Sequence, residues 1–418
     1  MLRNLAVVKG KVIGIVGGAA AVVVLAGLIV NANNAGQPPP VPPTTAPTTT
    51  LRPDGSIRFF GPDAPWNRTA AEMGRATEGQ DYAKRWFDYA TLAGWTNPQR
   101  RGEVDLQFSQ YAVPIYDVAT ATGTRRVFRA NYGYPGNIAL GGEVPWNDDW
   151  QVSEGTDRVL LVVDYNTGQW WEYWALEANK TVCLTPENLA AGFGLDDLCA
   201  GTANVVTEAD GTPADIRTTV TRFSGRGMGI PKAALVTRAD EVATGRIEHA
   251  LEMTVFNSMF GPACDPIGDG SASGAGENCG FYVDPATRLE WSEGPPSVCG
   301  DNGLDNTAEN RRKTVPEGMR FALDITDAEI DEWLDSRGYS GPIRETARIF
   351  AVALRDYGWI IAETGCFGAA IETDGIANPT AAATWANLGL TDPTQAGQLL
   401  HGGLFTGDRI YVVAPGTG

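Results

Sequence analysis

Two groups of side chains have residue types and spacings that suit chemistry. The first lies in RVLLVVDYNTGQWWEYWALE, residues 158–177. Read as a strand, Gln169 to Ala175 alternates, so Trp170, Glu172 and Trp174 share one face and Trp171 and Tyr173 the other. Indole rings beside a carboxylate stack on sugar rings while the carboxylate binds hydroxyls. A second carboxylate opposite the first would add acid–base attack on a glycosidic bond. Trp170 and Trp174 are therefore candidate substrate-binding residues, and Glu172 is a candidate catalytic one. The competing reading is packing, with one aromatic face in the core and the other beneath a loop.

The second group is DEVATGRIEHAL, residues 240–251. Read as a helix starting near Asp240, it places Glu241 and Glu248 on one stripe, with His249 about 80° from Glu241. Asp240, Glu241 and His249 are candidate catalytic residues, because a carboxylate and an imidazole together supply general acid and base. The same residues also suit a structural role. Asp240 is a natural N-cap, Glu241 favours the positive helix end, and His249 fits a buried link from helix to strand.

Metal and cofactor chemistry finds little support. His249 and His401 are the only histidines, which argues against a multi-histidine centre. Calcium is the one cofactor considered, from Asp265, Asp269 and Asn278 in one cysteine-bracketed loop and Asp301, Asp305 and Glu309 in the next. Neither loop fits the EF-hand register, since the third and twelfth positions are Ile267 and Gly276, or Gly303 and Arg312. The sequence holds no G-x-S-x-G, H-E-x-x-H or Walker loop.

Several elements must position these residues. The stretch around Asn166-Thr167-Gly168 reads as a hairpin. Helices are predicted over residues 78–94, from Asp240, over TDAEIDEWLDSRG with a Thr326/Glu329 capping box, and over GPIRETARIFAVALRDYG. In the last of these, Ile343, Ala347, Phe350, Leu354 and Tyr357 form one face. WIIAETGCFGAAIET and RIYVV read as strands. Many strands and few helices predict a mainly β, α+β fold, an antiparallel two-sheet sandwich of jelly-roll type with helical insertions.

The chain has 418 residues, 20% charged and 43% hydrophobic, with a net charge of −18. An acidic chain is a poor partner for nucleic acid. Val12 to Val30 is an uncharged apolar run behind Arg3, Lys9 and Lys11. Its length suits a membrane span of ~30 Å, with residues 1–11 as a cytoplasmic basic end. The expectation is a signal anchor over 12–31, because a signal-peptide core is usually only ~7–15 residues; a cleaved signal peptide is the rival. Residues 32–53, rich in Pro and Thr, read as a spacer. The first 53 residues hold four basic and no acidic side chains, leaving 28 basic and 50 acidic, a net −22, in extracellular residues 54–418.

All six cysteines, Cys183, Cys199, Cys264, Cys279, Cys299 and Cys366, lie in that exported part. They predict three disulfides among fifteen possible pairings. Short loop closure favours Cys183–Cys199 and Cys264–Cys279, leaving Cys299–Cys366.

An ordered series of segments carries a resemblance. It runs from Pro65-Trp66-Asn67 through DRVLLVVDYNTGQWWEYWAL, GIPKAALVTRADEVATGRIEHALEMTV and VPEGMRFALDI to AVALRDYGWIIAETG. These are similar to a broad group of secreted bacterial proteins of undefined activity. Their hallmark is an Asp-Glu-Val-Ala-x-Gly-x-Ile-x-His-Ala-Leu segment, here within Arg238 to Leu251. The resemblance implies an exported, β-rich protein in a polysaccharide-associated setting, and no particular reaction. The loop from Cys264 to Cys299 departs from the group's usual spacing.

The sequence thus predicts a domain outside the cytoplasmic membrane, tethered or secreted, whose partner is polysaccharide or cell-envelope glycan. Hydrolysis by Glu172, Asp240 and Glu241 with His249 is one expectation. A non-catalytic glycan-binding or adhesion module is another, and a structural envelope protein a third. Convergence of Glu172 and Glu241 in one open cleft at ~5–10 Å would support hydrolysis, and burial of the two apart would make that enzyme reading fail.

Overall fold

The computed structural model describes residues 58–130, 136–221, 227–265, 275–296, 299, 304–366 and 368–415. The predicted anchor and spacer lie outside the described residues. Among the described residues, no helix is long and apolar enough to cross a membrane.

Twelve strands form two six-stranded sheets. The N-sheet contains β2 (Ile115–Asp117), β3 (Gly123–Arg129), β4 (Gly142–Trp146), β5 (Leu160–Val163), β6 (Trp170–Leu176) and β7 (Leu198–Val205), in the order β2-β5-β6-β7-β3-β4. The C-sheet contains β1 (Val104–Gln107), β8 (Leu251–Val255), β9 (Arg320–Leu323), β10 (Trp359–Thr364), β11 (Ala369–Glu372) and β12 (Ile410–Val412), in the order β1-β11-β8-β10-β9-β12.

The β-rich α+β expectation holds, but the all-antiparallel jelly-roll expectation does not. Both sheets are mixed, with parallel pairs β2–β5 and β3–β7 in one and β1–β11 and β8–β10 in the other. The physical reason is that side-chain alternation is the same in either direction. Direction is set by the connections between strands.

Alternation shows how the layers stack. In β10, Trp359 and Ile361 face a core shared with the helices Asp327–Ser336 and Pro342–Asp356, while Ile360 and Ala362 face the N-sheet. In β5, Leu161 and Val163 point to that interlayer core, and Leu160 and Val162 to the outer side of the N-sheet. The order is therefore helices, C-sheet, interlayer core, N-sheet. Apolar burial drives this stacking, and a fully buried ring such as Phe350 is worth about 3–5 kcal/mol against Ala.

Local signals worked where they were complete. The β5–β6 hairpin pairs Leu160 with Tyr173, and Gly168 takes φ +78° in its turn. The Thr326/Glu329 capping box forms, and Gly358 (φ +71°) follows the helix that starts at Pro342. Two helices are shorter than predicted. The first spans Asp81–Tyr89, and Thr91 then caps a separate turn, Leu92–Thr96. The second spans only Ala239–Ala243, capped at Arg238 rather than Asp240, and the chain turns away at Gly245 (φ +89°).

Cys183–Cys199, Cys264–Cys279 and Cys299–Cys366 are bonded, the pairing favoured by loop closure. Three disulfides fit an extracellular or secreted protein.

Candidate active site

The shortened helix changes the geometry expected for His249. This residue lies beyond the helix, just ahead of β8, and returns to Glu241 through the fold rather than along a helix face. Its Nε2 is 3.1 Å from Glu241 Oε1 and its Nδ1 is 2.8 Å from the Ala250 carbonyl oxygen. Each ring nitrogen thus faces an acceptor. Glu241 is fully buried and also accepts the Arg238 N–H at 2.8 Å. Burial alone would raise its carboxyl, but the Arg238 guanidinium and His249 reverse this and hold it down at about 2.

Asp374 completes this network. It accepts the Ala239 N–H at 3.1 Å and the Trp385 indole N–H at 2.8 Å. Burial, with the nearby Asp240 charge, pushes its carboxyl up to about 8. Asp240 itself is exposed and pairs with Arg238 at 3.0 Å. Arg238 lies over the Phe59 ring at 4.0 Å. The structure brings Glu241 and His249 together with Arg238 and Asp374 as a buried knot that ties the 239–243 turn to β8 and to the segment after β11, with Asp240 at its exposed edge. With Glu241 and His249 closed from solvent, this knot offers a substrate no approach.

Glu172 has a different set of partners. It is buried and its Oε1 accepts the Lys232 N–H at 2.8 Å and the Trp170 indole N–H at 3.2 Å. Glu172 and Glu241 are thus buried apart and do not share an open cleft, so the expected hydrolysis by Glu172, Asp240 and Glu241 with His249 does not hold. Trp170 is fully buried and packs edge-on to Phe60, which places it in the core rather than on a sugar platform. Trp174 is half-buried.

A cluster absent from the sequence-based candidates forms beside Trp174. Three adjacent strands of the C-sheet present carboxylates toward the N-sheet: Glu252 from β8, Glu363 from β10 and Glu372 from β11. Register explains Glu363. Regular alternation would turn it away from Ala362, but a bulge between Ile361 and Glu363 sets Glu363 opposite Thr254. Lys232 is buried above these carboxylates, with its Nζ 3.3 Å from Glu363 and 3.6 Å from Glu372.

Two further glutamates close one side. Glu290 Oε2 accepts the Thr364 N–H at 3.1 Å and its hydroxyl at 2.9 Å, and Glu317 Oε2 accepts the Glu290 N–H at 2.9 Å. Burial and the Glu363 charge push the Glu290 carboxyl up to about 7. Burial and Glu290 raise Glu317 as well. Asp157 from the N-sheet side also reaches this cluster, is half-buried, and accepts a hydrogen bond from the Trp174 side chain. Burial first, then Glu363, push the Asp157 carboxyl up to about 6, while Lys232 opposes the shift.

The backbone at Asp157 and Trp174 is unusual. Arg158 has φ +41° and Ala175 has φ +51°, left-handed values that L side chains rarely adopt. The two positions are joined, since Ala175 N–H donates to the Asp157 carbonyl at 2.7 Å. Such conformations persist where surrounding structure holds them, and they concentrate at functional sites.

The arrangement separates proton affinities. Asp157 keeps its proton up to about pH 6 and Glu290 up to about pH 7, while Glu363 lies against an ammonium. Groups pushed apart in this way are suited to act as acid and base. Sequence reasoning missed Asp157, Lys232, Glu290, Glu317, Glu363 and Glu372 because no local pattern joins them. The alternation along β6 was the usable signal, through Trp174.

Of the proposed calcium ligands, Asp269 and Asp301 lie outside the described residues, and Glu309 pairs with Lys313 at 3.1 Å. Among the described residues, no group of three or more His, Cys, Asp or Glu side chains is arranged to hold a metal ion. No protein family, curated protein or solved structure matches the chain.

Proposed function

We propose that the protein is a membrane-tethered, extracellular glycan hydrolase whose acid is Asp157 and whose opposing carboxylate is Glu363. The observation that carries this reading is Asp157 itself. It holds a proton to about pH 6, is bonded to the half-buried Trp174, and lies within electrostatic reach of Glu363 and Lys232. A sugar ring stacked on Trp174 would bring its glycosidic oxygen to Asp157. Asp157 donates its proton as the C–O bond breaks, and the water that adds to the sugar carbon gives its proton to Glu363. Lys232 opposes the rise in the proton affinity of Asp157 and pairs with Glu363 at 3.3 Å.

The test is product analysis after the full chain is incubated with a panel of envelope and plant glycans. New reducing ends that vanish in Asp157→Asn support the reading. Absence of products from the wild-type chain on every glycan overturns it.

A non-catalytic glycan-binding module is the second reading. It is favoured by the contact of Lys232 with Glu363, which compensates the charge that a base would use. Saturable binding without products would select it.

A further inference from the structure

A cavity of about 240 Å³ lies at the outer side of the N-sheet, away from the interlayer core. Its walls include Trp146, Trp150, Arg158, Glu177, Lys180 and Asp196. We infer that it is a second carbohydrate subsite, taking one uncharged sugar unit of an oligosaccharide chain.

The Trp146 ring is held in place but remains partly open. Its indole N–H donates to Asp148 at 3.1 Å, and it packs edge-on to Trp150 at 5.6 Å and to Tyr173 at 6.2 Å. A restrained, half-buried indole presents an apolar face at little entropic cost. Around it stand carboxylate and cationic groups of both signs, which suit hydroxyls that donate and accept. A small ionic ligand would meet like charge on one side. The volume is below the ~300–1,000 Å³ typical of drug-sized ligands, and so suits a single ring.

A second part of the wall is tied down covalently. Asp196 lies within the loop closed by Cys183–Cys199 and Lys180 just before it, and Lys180 Nζ donates to the Leu195 carbonyl at 2.8 Å. The cavity is also tied to the proposed active site through shared backbone. Alternation along β6 would put Trp174 and Leu176 on the same side. The left-handed Ala175 breaks that alternation, so Trp174 packs with the interlayer core and Leu176 with the outer one. Asp157 and Arg158 divide in the same way, one to the acidic cluster and one to the cavity wall. The same strained pair thus supplies side chains to both places.

The inference rests on the glycan reading but not on hydrolysis. Calorimetric titration of the full chain with cellohexaose, chitohexaose and laminarihexaose tests it, using wild type, Trp146→Ala and Asp196→Ala. At least one hexasaccharide is expected to bind saturably, and at least tenfold more weakly to Trp146→Ala and Asp196→Ala. Asp196 is exposed, so its variant guards against misfolding of the tryptophan variant. The inference is overturned if no hexasaccharide binds or if both cavity variants bind like wild type. Binding at the cavity without products from the wild-type chain sinks the hydrolytic reading and leaves this one standing. Products together with unaffected cavity variants do the reverse.

Discussion

The Glu172 carboxylate accepts the Lys232 backbone N–H at 2.8 Å, and this bond ties the N-sheet to the segment that carries Lys232. Glu172 belongs to β6 of the N-sheet. Lys232, held by its main chain, extends its ammonium to Glu363 and Glu372 of the C-sheet. A residue expected to perform chemistry instead positions the cation that sets the charge of the acidic cluster.

Replacing Lys232 with Met should therefore destabilise the fold strongly at neutral pH. It leaves buried carboxylates without their cation, a loss of about 3–5 kcal/mol. The loss should shrink at pH 5, where more of the cluster is protonated. Urea unfolding at both pH values measures it. Equal losses at pH 5 and pH 7 would show that the ammonium does not compensate these carboxylates.

Activity should fall as pH rises through about 6. Asp157 must be protonated to act as the acid, and its carboxyl is raised to about 6. Lys232 opposes that rise, so Lys232→Met should move the alkaline limb to higher pH. Asp157→Asn should lower turnover by about 10²–10⁴-fold. A pH–rate profile of kcat/KM on the best glycan checks both; an alkaline limb that stays in place in Lys232→Met contradicts the assignment.

Glu241→Ala should cost about 3–5 kcal/mol, because it removes the buried carboxylate facing Arg238 and His249 and leaves Arg238 paired with the exposed Asp240. Glu241→Gln should cost less, since its carbonyl oxygen still accepts the Arg238 N–H. The comparison by thermal unfolding separates charge from shape. A smaller cost for Ala than for Gln would contradict the buried-knot description.

Stability should be greater at pH 5 than at pH 8.5. Asp374 is raised from 3.8 to about 8 and Glu290 from 4.5 to about 7. Each binds its proton more tightly when folded. Its stabilising contribution is complete below the unfolded value and is lost as pH rises through the folded one. Glu241, lowered to about 2, acts in the opposite sense, and its contribution disappears as pH falls from about 4.5 toward 2. Tm measured across pH 2–9 should rise and then fall, and Asp374→Asn should flatten the alkaline side. A Tm that climbs steadily to pH 9 would contradict this.

Loss of Cys299–Cys366 should be the most costly of the disulfide removals. It closes 67 residues, against 16 and 15 for the other two. Loop entropy gives about 4 kcal/mol for the long loop and about 3 for each short one. Unfolding of the paired serine variants ranks them. A larger cost for either short loop would show that native contacts, not closure, set the order.

The sequence by itself determined the features whose cause is local. The Thr326/Glu329 box, the hairpin at Gly168, the amphipathic helix from Pro342 and the disulfide pairing each depend on residues close in the chain or on loop length. The shared face of Trp170, Glu172 and Trp174 on β6 was legible as an alternation, and Trp174 lies beside the cluster. The tertiary structure decided the rest. Strand direction leaves no mark on alternation, so the mixed sheets were not legible. Gly245 ended a helix that spacing had carried on to His249. The acidic cluster draws on Asp157, Lys232, Glu290, Glu317, Glu363 and Glu372, which are distant in sequence. Glu363 joins it through a bulge, and Asp157 and Trp174 through left-handed backbone at the residue that follows each. Those deviations depend on how two sheets fit together, and no short window of sequence contains both.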